Sequence, residues 1–228
     1  MLRSSRQGFV VSCVLLLAGA VAWGLASRSS ERIVDLGFWF EPVTYDASEA
    51  MSSRFGGAIN DVEMRTIASI ASSEVRDAFL GLRISVTDRQ DATYQVRVVQ
   101  DLRNPMFPRG LAPAGHSRAI TGVGGRGVVN FRMLAHSAIA YAPADAERSV
   151  MIAAIGRGIG RAAVHEFAHQ LLGAASIHDT TDVESYEYGS ADRRGQYYGP
   201  MHWDIAWAML GARVGLAADR RSSHIPVD

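Results

Sequence analysis

The sequence contains no lysine: all 23 of its basic residues are arginine. That excludes Schiff-base lysine chemistry and a P-loop lysine. It has one cysteine, Cys13, which excludes internal disulfides and any cysteine-rich structural zinc cluster. It has no excess of either charge, with 23 acidic residues against 23 basic and a formal net charge of zero. No broad basic field is available to hold a polyanion, so nucleic acid is not an expected partner. Repeats and low-complexity tracts are also lacking. What is abundant is apolar: 48% of the 228 residues are hydrophobic and 20% charged, enough to pack a core in one domain with a small appendage. A site assembled from His, Asp and Glu is the route left open to metal or acid–base chemistry.

The appendage is the N-terminus. Arg3 and Arg6 precede an uncharged run over residues 8–27, GFVVSCVLLLAGAVAWGLAS. A run of about 20 such residues just spans a bilayer. A basic start followed by an apolar run reads as a secretory signal or a retained membrane anchor. Small residues at Ala20 and Ala22, or at Gly24 and Ala26, suit a signal peptidase. The expected organisation is a signal peptide or anchor over 1–30 and a folded domain over 31–228. That domain would be secreted, periplasmic or membrane-anchored outside the cytoplasm, and it would contain no cysteine.

Within the domain a first strand is expected around Gly37–Phe40. Asn60 or Asp61 can cap a helix running to about Leu80, with Met64, Ile67, Ala71, Val75 and Phe79 on its apolar stripe. Strict alternation predicts strands over Leu82–Thr87 and Thr93–Gln100. Pro105, Pro108 and Pro113 mark a long loop, and a further strand is expected over Gly127–Leu134. A helix beginning near Ala146 or Ser149 ends at Gly173, a polar loop covers 174–199, and a last helix covers about Met201–Leu216. This order predicts a mixed α+β domain. Gly156, Gly158 and Gly160 each cost a helix interior about 1 kcal/mol, so that helix either starts as late as Gly160 or uses the glycines for close approach of another backbone. Gly122–Gly127 (GVGGRG) matches a dinucleotide-binding spacing, but a strand-like run follows it, so it reads as a turn between strands.

The chemistry lies in residues 164–173, Val-His-Glu-Phe-Ala-His-Gln-Leu-Leu-Gly. His165 and His169 are one helical turn apart, so both imidazoles leave the same face. Two nitrogens on one face can hold a zinc ion at about 2.0–2.1 Å. Glu166 stands beside the first histidine, near the metal without needing to bind it, and can take a proton from zinc-bound water.

Through His165-Glu166-Phe167-Ala168-His169 the chain resembles the zinc metallopeptidases called zincins, and in layout the metzincins most. That resemblance implies a mixed sheet packed on two long helices, one of them carrying the motif, and a zinc-dependent endopeptidase acting on peptide or protein substrates. The metzincin pattern is H-E-x-x-H-x-x-G-x-x-H with a later methionine turn. Here Gly173 comes one position late, and His178 needs an insertion of three residues to match the third ligand. By the same resemblance Met201 would form the floor beneath the metal. Tyr198, Tyr197 or His202 would assist at the oxyanion, and the strand at 127–134 would line the cleft. A gluzincin plan, with a glutamate on a following helix as third ligand, keeps Glu187 and Glu184 in play. Asp179 and His202 are further candidates. A catalytically inactive zincin-like binding domain is the rival from a different functional class.

Overall fold

The structure is a computed structural model that describes residues 33–45, 55–102, 113–120, 123–173, 178 and 180–217. The apolar run at 8–27 and Asp179 lie outside the described residues. The elements are β1 (Val34–Phe40), α1 (Asp61–Ala78), β2 (Ile84–Thr87), β3 (Tyr94–Val99), β4 (Gly115–Ile120) and β5 (Gly124–Asn130), then α2 (Phe131–Ala140), α3 (Arg148–Leu172), α4 (Gly195–Tyr198) and α5 (Ala206–Val214). Among the described residues no helix is long and apolar enough to cross a membrane.

The strands form one five-stranded sheet in the order β2-β1-β3-β5-β4. The first four run parallel, and β4 pairs antiparallel with β5 and ends the sheet. Mixed sheet and helices together make an α+β domain. Alternation decides which side of the sheet meets the core: Leu36, Phe38, Val96, Val98 and Val129 are buried on the inner face with the apolar stripes of α1 and α3. Parallel strands need crossovers, and α1 supplies the one between β1 and β2.

Helix α1 begins where its sequence says it should. Asn60 Oδ1 accepts from the Val62 and Glu63 N–H groups at 2.9 and 3.0 Å, and Glu63 Oε2 accepts from the Asn60 N–H at 3.0 Å. This reciprocal cap contributes about 1 kcal/mol. Helix α3 runs unbroken through its three glycines, because each sits where something else needs the space. A Cβ at Gly156 would lie 2.9 Å from Ile67 O, and one at Gly160 would lie 2.6 Å from Ala71 O, both on α1. A Cβ at Gly158 would collide with the Tyr197 ring. The glycines set how closely α1 and α3 pack.

Three sequence expectations are corrected. The strand expected over Gly127–Leu134 ends at Asn130, whose Oδ1 accepts from the Met133 N–H at 3.2 Å and starts α2. Phe131, Leu134, Ala135, Ala138 and Ile139 then form a buried helical stripe. The edge of the sheet is instead β4, in a stretch whose prolines predicted only loop; of the GVGGRG run, Val123 lies in a turn and Gly124, Gly125 and Gly127 lie in β5, while Gly122 is outside the described residues. The last helix is also shorter than expected, because His202 is bridged to Ser185 by backbone bonds with Glu184 and Tyr186, and the helix starts only at Ala206.

Candidate metal centre

Helix α3 carries His165, Glu166 and His169 in its last two turns, and Gly173 (φ 83°) ends it, with His178 close by in the segment that follows. The Nε2 atoms of the three histidines form a near-equilateral triangle: 3.2 Å between His165 and His169, and 3.0 Å from each to His178. They are the one group of three potential ligand side chains found among the described residues. The tautomer of His165 is set from outside the triangle. Its Nδ1 lies 2.7 Å from Tyr186 O, so Nδ1–H donates to that carbonyl and Nε2 presents a lone pair.

The donor set fits a zinc ion. A tetrahedral centre with bonds of about 2.0–2.1 Å spaces its nitrogen ligands about 3.3–3.4 Å apart, close to the triangle seen here. Burial disfavours protonation of the two helical rings, His165 and His169. His165 is lowered to about 4, first by burial and then by the neighbouring His178 and Arg193 charges, against the pull of Tyr186 O. His169 is lowered to about 3 by burial and by His165, His178 and His116. Three imidazole nitrogens converging on one point are an arrangement a divalent cation satisfies. His178 is the exposed corner, and three protein ligands leave a position for water or substrate.

Glu166 shares the cleft wall with the three histidines and rests against the sheet edge. A Cβ on Gly115, the first residue of β4, would lie 2.5 Å from its Oε1, so only glycine lets the carboxylate rest there. Burial pushes its carboxyl up to about 7, and the Ser117 hydroxyl, which donates to the Glu166 backbone carbonyl at 3.2 Å, acts in the opposite direction. Along the same helix face, Gln170 Nε2 donates to Gln95 O at 3.0 Å and anchors α3 to β3. A cleft of about 840 Å³ runs between Pro113–Ala119 on one side and the 186–193 loop on the other, with His165, Glu166, His169 and His178 in its wall.

The loop that supplies Tyr186 O is held firmly. Tyr186 N–H donates to His202 O at 2.9 Å, and His202 N–H donates to Glu184 O at 3.0 Å. The Tyr186 ring packs on Trp203 at 4.9 Å, and Trp203 Nε1 donates to Ala78 O at 2.7 Å. Arg161, 7% exposed, donates to the Gly195, Gln196 and Gly199 carbonyls while paired with Glu74 at 3.0 Å. Sequence reasoning missed Tyr186 and Arg161. A backbone carbonyl leaves no trace in residue type, but an arginine in a buried helix face was a signal that it had partners to satisfy.

Several other candidates are placed elsewhere. Glu187 is fully buried, and its carboxylate accepts the N–H groups of Asp204, Ile205 and Ala206 and the Ser185 hydroxyl, so it caps α5. Glu184 is exposed on the loop. Tyr198 donates its hydroxyl to Ala138 O on α2 at 2.7 Å and does not line the cleft. Tyr197 is wholly buried and donates to Ala191 O at 2.9 Å. His202 pairs with Asp182 at 2.7 Å. Met201 packs against the core and does not line the cleft. The structure therefore gathers His165, Glu166, His169 and His178, and leaves Tyr198 and Glu187 to structural contacts. Compared with protein-family models and with curated proteins, the chain matches none.

Proposed function

We propose that this chain is a zinc-dependent metalloendopeptidase of zincin type, most similar in plan to the metzincins. The observation that carries the reading is the triangle of His165, His169 and His178 Nε2 atoms beside a buried Glu166 carboxylate, at the foot of an open sheet edge. The mixed sheet on two long helices, with an antiparallel edge strand next to the motif helix, supports the same family. The capping role of Glu187 favours His178 over a gluzincin ligand set. The uncharged run at 8–27 supports a domain that acts outside the cytoplasm, exported or anchored.

His165, His169 and His178 would hold the ion, with Tyr186 O keeping His165 in the correct tautomer. Bound there, zinc would supply Lewis acidity, polarising a peptide carbonyl and lowering the pKa of water. Glu166 moves the proton: its carboxylate takes one from the attacking water and delivers it to the leaving amine. The open edge of β4 orients the substrate. Asn130 N–H donates to Ala114 O at 2.8 Å, so by antiparallel alternation His116, Arg118 and Ile120 bond β5. Gly115, Ser117 and Ala119 then direct their N–H and C=O groups outward, where an extended peptide can pair as a further strand.

Metal analysis of the full chain tests this reading together with cleavage of casein with and without a chelator. One zinc per chain is expected, with stoichiometric binding abolished in His165→Ala, His169→Ala and His178→Ala and cleavage stopped by the chelator. A full equivalent of zinc in all three variants would place the metal elsewhere. A zinc-loaded chain that cleaves nothing would leave a binding domain of similar plan in place of an enzyme.

A further inference from the structure

Strand β4 has a second face. Gly115 and Ser117 turn toward α3, so His116 and Arg118 project from the opposite, outer face of the sheet. Register places Arg118 directly across from Arg126 of β5, and His116 across from Val128. Both arginines are exposed, and neither has a carboxylate partner among the described residues. Arg126 donates only to the Thr93 and Gly125 carbonyls, at 3.1 and 2.9 Å. By contrast Arg97, one strand further in, is paired with Glu41 at 2.6 Å. Like charges directly opposite on a sheet are destabilising, so the pair carries a cost that no carboxylate among the described residues offsets. A hollow of about 310 Å³ adjoins Arg126, lined also by Trp39, Gln95, Arg97, His116 and Val128, while Arg118 borders the larger cleft.

We infer that Arg118, backed by Arg126, selects substrates with an acidic side chain at an outer-face position near the scissile bond. The inference rests on the peptidase reading and deepens it. A peptide pairing with the open edge of β4 alternates its side chains between the cleft and the outer face. The residue that lies opposite or diagonal to Arg118 shares its face. An Asp or Glu there gains a cross-strand partner and relieves the Arg118–Arg126 repulsion, whereas an Arg or Lys there adds a third like charge. At the next position the side chain projects from the opposite face of the sheet, away from the one Arg118 shares.

The test uses the full-length, zinc-loaded protein and quenched fluorogenic peptides that differ only in carrying Glu or Arg at one position, scanned along the sequence. Wild type is expected to favour Glu about threefold to tenfold in kcat/KM at one position or at alternate positions. That ratio should shrink as salt rises from about 0.05 to 0.5 M. The Arg118→Glu variant should invert the preference at the same position, and Arg126→Glu should weaken it. A Glu-to-Arg ratio unchanged in Arg118→Glu, with cleavage retained, would overturn the inference while leaving the peptidase reading standing; Arg118 would then only discourage edge-to-edge pairing. Salt-independent ratios in wild type would overturn it without reference to any variant. Absence of cleavage of every peptide by the zinc-loaded wild type would instead remove the peptidase reading and the inference with it.

Discussion

Replacing Glu187 with alanine separates its capping role from a role as metal ligand. The carboxylate holds three successive backbone N–H groups at the start of α5 together with the Ser185 hydroxyl. After truncation, the Asp204 and Ile205 donors can turn to water because both residues are exposed, so they lose only cap energy, about 1 kcal/mol. Ala206 is buried, and its orphaned donor costs about 1–3 kcal/mol more. The expected loss is therefore about 2–4 kcal/mol, a fall in Tm of about 4–16 °C for a domain of this size. Urea titration and calorimetry on the zinc-loaded protein measure it. Glu187→Gln keeps an acceptor oxygen and should lose less, with zinc bound in full. The pH dependence has a definite sign. Burial alone would raise the Glu187 pKa, but the Asp204, Ala206 and Ile205 N–H groups and the Ser185 hydroxyl hold it below the ordinary carboxylate value. Its stabilisation is complete above the unfolded-state value of about 4.3 and is lost as pH falls through the folded one. The Glu187→Gln variant should lack that acid-labile share. A Glu187→Gln protein of wild-type stability that no longer holds zinc would refute the capping argument and move the third ligand to Glu187.

Gly158→Ala should destabilise by a net 1–2 kcal/mol or so in urea, because overpacking against the buried Tyr197 ring outweighs the helix propensity gained; a stabilised variant contradicts the close-approach account. Gly115→Ala should keep its zinc but lose roughly 100-fold in kcat, since the new methyl displaces the Glu166 carboxylate; unchanged turnover would mean the carboxylate works from another position. Tyr198→Phe should cost about 0.5–1.5 kcal/mol for the bond to Ala138 O and leave kcat/KM within about twofold. A drop of about 100-fold or more would return Tyr198 to the chemistry.

How far the site could be read from sequence depended on whether each role left a mark in residue type. His165, Glu166 and His169 were legible because helical spacing alone puts two imidazoles on one face, and α3 extends through them. Helix α1 was legible from a capping residue at Asn60 or Asp61 and from its apolar stripe. Strand β4 was not: its inward positions are the small residues Gly115, Ser117 and Ala119, so it carries no hydrophobic alternation, and GHSRAI reads as loop. Val129, Phe131 and Met133 imitated a strand where the chain turns into α2, although Asn130 followed by Phe131, Leu134, Ala135 and Ala138 held the helical signal. His178 was reached only by allowing an insertion after Gly173, and its ring lies against Gly189 of the 180–190 loop. That loop is fixed by long-range bonds to 202–206, beyond the reach of local spacing. The mixed sheet order could not be read at all, since register is set by packing among distant strands.

The central claim is that Glu166 performs acid–base work beside a three-histidine zinc site. Parallel measurement of zinc content and peptide-cleavage rate in wild type and Glu166→Gln tests it most directly. The substitution preserves shape but removes the proton acceptor. The account predicts one zinc per chain in both proteins and a rate lower by about 100-fold or more in the variant. Undiminished cleavage by Glu166→Gln, or a wild-type chain that binds no zinc, would contradict it.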